Sequence, residues 1–226
     1  MYLRAAIAAS AARNIPLTFR TTISASSSSK LVAPGAKIGR SDQKFMAKSH
    51  KKNAGIPTQI AAFADKDDGI LNAVIETPSG SRNKFKFDEK LGFFALSGVL
   101  PEGMVFPHAF GFVPSTKAED GDPEDVLVIM DEPTFTGCIV RTRLLGVIEA
   151  EQTEDGETER NDRLIAVAAN SRDYSEIKNI DDLNKNMVME IEQFFVNYNK
   201  ERGKKFRVLG TRGPKQARKL LEKSLQ

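Results

Sequence analysis

Glu119-Asp-Gly-Asp-Pro-Glu-Asp-Val-Leu-Val-Ile-Met130 is the stretch on which the fold turns. Its first part holds five carboxylates within seven residues, and Gly121 and Pro123 prevent a helix from spreading them out. Its second part, Val126 to Met130, is an unbroken apolar run of strand length. An acidic loop is therefore fastened to a buried strand. Repulsion within such a loop is relieved either by water, as on an ordinary solvated surface, or by a divalent cation, for which carboxylate oxygens are the hard ligands that suit Mg²⁺ or Mn²⁺. The spacing is not that of an EF-hand, which needs a glutamate at its twelfth position.

Outward from this stretch, short apolar runs alternate with turns. Leu71 to Glu76 reads as a strand stopped by Pro78-Ser-Gly80. In Lys84-Phe-Lys-Phe-Asp88 the period of two puts Phe85 and Phe87 on one face and Lys84 and Lys86 on the other. Cys138 to Glu149 and Leu164 to Ala168 are further strands, the first with Arg141 and Arg143 pointing the same way. Near the C-terminus the period changes. Leu183, Met187, Ile191, Phe194, Phe195 and Tyr198 recur at helical steps after a cap at Asp181 or Asp182, with Gly203 as the stop. A second helix starts at Gly213-Pro214 and carries Ala217, Leu220, Leu221 and Leu225. The expected fold is mainly β, a twisted antiparallel sheet or closed barrel with two flanking helices.

Charge divides the chain in two. Residues 1–60 hold ten Lys or Arg and one acid, Asp42; of the chain's 33 basic and 30 acidic residues this leaves 23 and 29 for residues 61–226. The basic, serine-rich, acid-poor start, with Arg4, Arg13, Arg20 and the run Ser24-Ala-Ser-Ser-Ser-Ser29, has the pattern of an organelle import segment, mitochondrial or alternatively plastid. Residues 1–60 are read as this segment plus a disordered leader, and residues 61–226 as one folded domain. The net acidic body and the absence of Trp speak against a nucleic-acid-binding barrel. No apolar run nears the roughly 18 residues of a membrane span. With one cysteine, Cys138, there is neither an internal disulfide nor a thiolate cluster.

Chemistry must then rest on oxygen and nitrogen groups. The acidic loop, combined with Lys84, Lys86, Arg141, Arg143 and Arg163, joins acids able to hold metals to cations able to hold an oxyanion. That combination suits metal-assisted hydrolysis of a phosphate compound.

Several segments, in order, resemble the soluble family I inorganic pyrophosphatases. They are Val74-Ile-Glu-Thr-Pro78, Lys84, Phe106-Pro-His-Ala-Phe-Gly-Phe112, Glu119 to Val128, Leu164-Ile-Ala-Val167 and Phe194-Phe-Val-Asn-Tyr198. The Asp-Gly-Asp-Pro-x-Asp-Val-Leu core at Asp120 to Leu127 is highly specific for that family. The resemblance covers about residues 71–205. It implies a five-stranded OB-like barrel with flanking helices, Mg²⁺ as cofactor with Mn²⁺ as the alternative, a homo-oligomer, and hydrolysis of pyrophosphate to two phosphates. It implies Asp120, Asp125 and Asp155 as metal ligands, Asp162 or Asn161 as a further oxygen ligand, and Glu76 acting through metal-bound waters. Asp122 is implied to help deprotonate the attacking water, and Lys84, Arg163 and Tyr198 to bind phosphate. His108 is read as a packing residue.

Five positions depart from the family pattern: Lys86 replaces a glutamate, Gly98 an arginine, Phe110 a tyrosine, Arg163 a lysine, and Asn199, followed by Lys200, a lysine. Lys86, Arg82, Arg141 and Arg143 are the candidates to fill the space of the missing arginine. Other readings are a catalytically weak homologue serving in an organelle assembly and a metal-dependent hydrolase of another small phosphate compound.

Overall fold

The computed structural model describes residues 56–226. The import segment and leader expected over residues 1–60 lie, as far as residue 55, outside the described residues. Residues 56–60 are fastened to the body. Pro57–Gln59 forms a 3-10 turn, and Ser115 donates its N–H to Thr58 O and its hydroxyl to Ile60 O, both at 2.9 Å.

The strands are β1 (Phe63–Asp65), β2 (Ile70–Thr77), β3 (Asn83–Asp88), β4 (Phe93–Val99), β5 (Ala109–Phe112), β6 (Asp125–Ile129), β7 (Ile139–Glu154), β8 (Glu157–Arg160), β9 (Arg163–Ala168) and β10 (Lys205–Arg212). Helices α1 (Lys185–Lys200) and α2 (Pro214–Ser224) complete the fold. The expected five-stranded OB-like barrel is corrected by the pairing. Eight strands share one mixed sheet in the order β1-β2-β5-β6-β9-β7-β10, with β8 on β7, and β3–β4 forms a separate two-stranded sheet. The cause is β7. At 16 residues it pairs with β2 through Ile139–Arg143, with β9 through Thr142–Ile148, and with β8 and β10 through its last part. A strand this long recruits partners beyond a five-strand set.

At the centre lies the parallel pair β6–β9, Val126 against Leu164 through Ile129 against Val167. Parallel strands are usually covered on both faces, and the unbroken apolar runs fit this. Leu127, Ile129, Ile165 and Val167 belong to the core with Ile191, Phe194 and Phe195 of α1. Val126, Val128, Leu164 and Ala166 face the opposite core, with Ala217 and Leu221 of α2. Gly111 in β5 is required by close approach, since a Cβ there would lie 1.9 Å from Val74 O.

Helix α1 begins later than expected. Asn184 caps it by accepting the Asn186 N–H at 2.8 Å, whereas Asp181 and Asp182 belong to a preceding 3-10 turn capped by Asn179. Gly203, with φ +75°, lies just beyond its end. Helix α2 starts at Pro214 as expected. Among the described residues, no helix is long and apolar enough to cross a membrane.

Candidate active site

The end of β2 sets the site. Glu76 is buried, and its Oε1 accepts the Phe87 N–H at 2.7 Å. Next to it, Thr77 Oγ1 accepts the Phe85 N–H at 3.1 Å and donates to Phe85 O at 3.3 Å. These bonds root the β3–β4 hairpin on β2, with Phe87 packed among Val74, Phe112 and Phe94. Burial pushes the Glu76 carboxyl up to about 7; the Phe87 N–H opposes this and the Asp125 charge adds to it.

With its apolar face committed, β3 presents its lysines. Lys84 Nζ lies 5.3 Å from the Tyr198 ring centre and 5.8 Å from that of Phe110. Lys86 Nζ reaches the acidic loop and donates to Asp122 Oδ2 at 2.7 Å. Within that loop Asp120 Oδ1 accepts the Asp122 N–H at 3.1 Å. The Asp120 carboxyl is pushed above its ordinary range by partial burial and by Asp125 and Asp122, against the Asp122 N–H and Arg163.

Asp125 and Arg163 open the two central parallel strands side by side and are joined at 2.7 Å. The Arg163 guanidinium is buried against Phe195, Phe206 and Phe110, 5.5, 5.7 and 5.9 Å from their ring centres. It also donates to Asn161 Oδ1 and to Asp162 O, while its Nε is buried without a hydrogen-bond partner among the described residues. Tyr198 is buried on α1, and its hydroxyl accepts from Arg202 at 2.9 Å.

Two expected ligands are placed differently. Asp162 Oδ1 is occupied by the Ala150 N–H at 2.9 Å and the Arg160 guanidinium at 2.7 Å. Asp155 forms the β7–β8 hairpin tip, with φ 50° followed by Gly156 at 88°. Three residues of ribbon put that tip roughly 10 Å beyond Arg160. A cavity of about 530 Å³ lies beside the acidic loop, lined by Asp120, Glu124, Asp125, Asp162 and Arg163 together with lysines of α2. Glu76, Lys84, Asp122 and Tyr198 are not among its lining residues. The missed Glu124 is buried there, its carboxyl pushed up to about 7 by burial against the opposing Ser224 hydroxyl.

The space of the missing arginine is open. Gly98 pairs across from Lys84, and no heavy atom lies within 4 Å of an added Cβ. Arg82 is committed to Leu100 O and Glu102, and Arg143 to the carbonyls of Tyr174, Ser175 and Ile177. Arg141 is exposed on β7, so of the four candidates Lys86 is the one bonded to the acidic loop.

The donors fit a hard divalent cation in kind. They are carboxylate oxygens, and Asp120 is raised by burial first and then by its carboxylate neighbours Asp125 and Asp122. Among the described residues they are not gathered around one point, since no group of three or more His, Cys, Asp or Glu could hold a metal ion. Lys86 and Arg163 instead hold Asp122 and Asp125.

A family model described as inorganic pyrophosphatase matches residues 73–226. The chain belongs to the inorganic pyrophosphatase family. As a family member it is classed as an inorganic diphosphatase, which cleaves pyrophosphate. It is 37% identical over 158 residues to the inorganic pyrophosphatase of Nostoc sp., covering 70% of this chain and 91% of the relative. To that of Synechocystis sp. it is 39% identical, covering 63% and 82%. The crystal structure of the Thermus thermophilus inorganic pyrophosphatase matches with a TM-score of 0.69 and 33% identity, covering 76% of this chain and 97% of that one. Two of the positions expected to depart from the pyrophosphatase pattern, Lys86 and Gly98, lie on the β3–β4 hairpin.

Proposed function

We propose that the chain hydrolyses pyrophosphate to two phosphates in a Mg²⁺-dependent reaction. The observation that carries the reading is that the acidic loop with Asp120, Asp122 and Asp125 is met by charged groups of three other strands, Glu76 of β2, the lysines of β3 and Arg163 of β9. When bound, Mg²⁺ would acidify water and neutralise phosphate charge. Asp120 and Asp125 would hold it, with Glu76 contributing through water.

The protein's own groups supply the rest. Asp122 takes the proton of the attacking water, its carboxylate being about half-exposed on the acidic loop. Lys84 binds phosphate oxygens from above the Phe110 and Tyr198 rings. Arg163 is buried and bonded to Asp125, so it acts by holding that carboxylate and adding positive field beneath the substrate. The Tyr198 hydroxyl reaches phosphate beside Arg202, which adds a cation to that edge.

The test is phosphate release by the full chain, free of host pyrophosphatase, with Mg²⁺ titrated from zero and Asp120→Asn as control. Magnesium-dependent release lost in the control supports the reading. Equal release without magnesium overturns it. Association of copies is proposed as well, supported by the exposed Leu91, Phe93, Leu96 and Val99 on the hairpin; sedimentation of a monomer would remove it. The basic leader supports organelle import, mitochondrial or plastid, which imaging of a fluorescent fusion tests.

A further inference from the structure

Lys86 brings a fixed positive charge into the acidic site. Its ammonium is 2.7 Å from Asp122 Oδ2, and Glu76 and Asp125 act on it as well. Asp122 thus carries a cation that belongs to the chain, with Glu76 of β2 and Asp125 of β6 within its field. A bound ammonium donates hydrogen bonds but offers no lone pair, so it neutralises a carboxylate without completing a metal's coordination. A divalent ion approaching Asp120 and Asp125 meets a like charge already in place beside them.

We propose that Lys86 is a resident cation of the site, neutralising Asp122 and repelling a divalent ion that approaches Asp120 and Asp125 on the same loop, and thereby weakening metal binding there. The inference rests on the metal-dependent reading above. Both side chains of the pair are about half-exposed, 51% for Lys86 and 58% for Asp122. Such a pair is weak and opens readily. Lys86 therefore does not block the site; it raises the metal concentration needed to fill it. Strand β3 fixes this arrangement: the Phe87 N–H bonded to Glu76 anchors the strand, and alternation puts Lys86 on the face opposite the Phe87 side chain.

Mn²⁺ binding to the full chain, followed through the free-ion electron paramagnetic resonance signal, tests this without reference to turnover. The variants are Lys86→Gln, Lys86→Glu and, as a charge control on the same hairpin, Lys90→Gln. Lys86 is half-exposed and Lys90 exposed, so all three keep the fold, which circular dichroism verifies. Affinity should tighten about tenfold in Lys86→Gln and more in Lys86→Glu, with Lys90→Gln unchanged. Added salt should shrink the gain, because the repulsion removed is partly screened. An affinity in Lys86→Gln within about twofold of the unaltered chain, or an equal gain in Lys90→Gln, overturns the assignment and leaves metal dependence standing. Failure of every form to bind Mn²⁺ removes both.

Discussion

The acidic loop and the β3–β4 hairpin bring opposite charges to one place, but they are mounted differently. The loop runs directly into β6, whose Val126 to Ile129 are fully buried between two cores. The hairpin is a two-stranded sheet of its own, held by Thr77, Glu76 and the packing of Phe87. Four of its large apolar residues, Leu91, Phe93, Leu96 and Val99, are exposed. Two-stranded ribbons are marginal alone, so the lysines depend on a few anchors while the carboxylates rest on the core. The altered positions Lys86 and Gly98 are on the weakly anchored side. Charge can be rearranged there without disturbing the frame.

The sharpest break in this comparison is Asp122→Asn, which keeps side-chain volume and removes a negative charge. Turnover should fall about a thousandfold, with the thermal midpoint unchanged because Asp122 is exposed. Full turnover at saturating magnesium would remove Asp122 from the proton-accepting role. Next in size is Arg163→Leu on the frame side, which leaves Asp125 without its partner at the start of β6. Urea unfolding should report a loss of about 3 kcal/mol or more. Lys86→Leu, at the exposed pair, should cost less than about 1 kcal/mol. Equal losses would erase the contrast between the two mountings.

Most of the frame was legible in the sequence. The runs Leu71 to Glu76, Val126 to Met130 and Leu164 to Ala168 have strand length and no competing period, and β2, β6 and β9 lie on them within two residues. The reading of β7 stopped at Glu149 because its last part, Glu151 to Glu154, is polar and paired at the surface with β8 and β10. Strand β10 was missed for the same reason: Lys205, Arg207 and Arg212 mask the alternation carried by Phe206 and Val208. In the site, period two correctly placed Lys84 and Lys86 on one face. Asp155, expected as an acidic ligand from the loop that follows, lies at the tip of the β7–β8 hairpin. Asp155-Gly156 has the dipeptide and positive φ angles of a tight hairpin turn, a local signal that was there to be read. Arg202 stands four residues after Tyr198, a helical step, so its bond to the Tyr198 hydroxyl at the end of α1 is a local contact that the spacing allowed.

A smaller effect separates the two regions by pH. Burial raises the Glu124 carboxyl from the ordinary 4.5 to about 7, so between these values the folded protein binds more protons than the unfolded chain. Stability from this group therefore falls as pH rises through that window, by at most about 3 kcal/mol. Without metal, Glu124→Gln should match the unaltered chain near pH 4.5 and exceed it above pH 7 in urea unfolding. Glu76, raised similarly at the hairpin root, should leave part of the slope in that variant. A Glu124→Gln curve parallel to the original would mean that its carboxyl is hydrated.

The mildest change tests whether the hairpin opens separately. Thr77→Val conserves shape but deprives Phe85 of both bonds to the buried hydroxyl. The cost, about 1 to 2 kcal/mol, falls at the hairpin root. Amide exchange along Lys84 to Asp88 should quicken by about tenfold. Exchange along β6 and β9 should not change, because their bonds lie between two cores that the variant does not touch. The Michaelis constant for pyrophosphate should rise more than turnover falls, because Lys84 is displaced for part of the time while the carboxylates stay in place. Equal acceleration in both regions would mean that lysines and carboxylates ride on one cooperative unit. The difference in burial would then have no counterpart in motion, and tolerance of Lys86 and Gly98 would need a cause other than loose mounting.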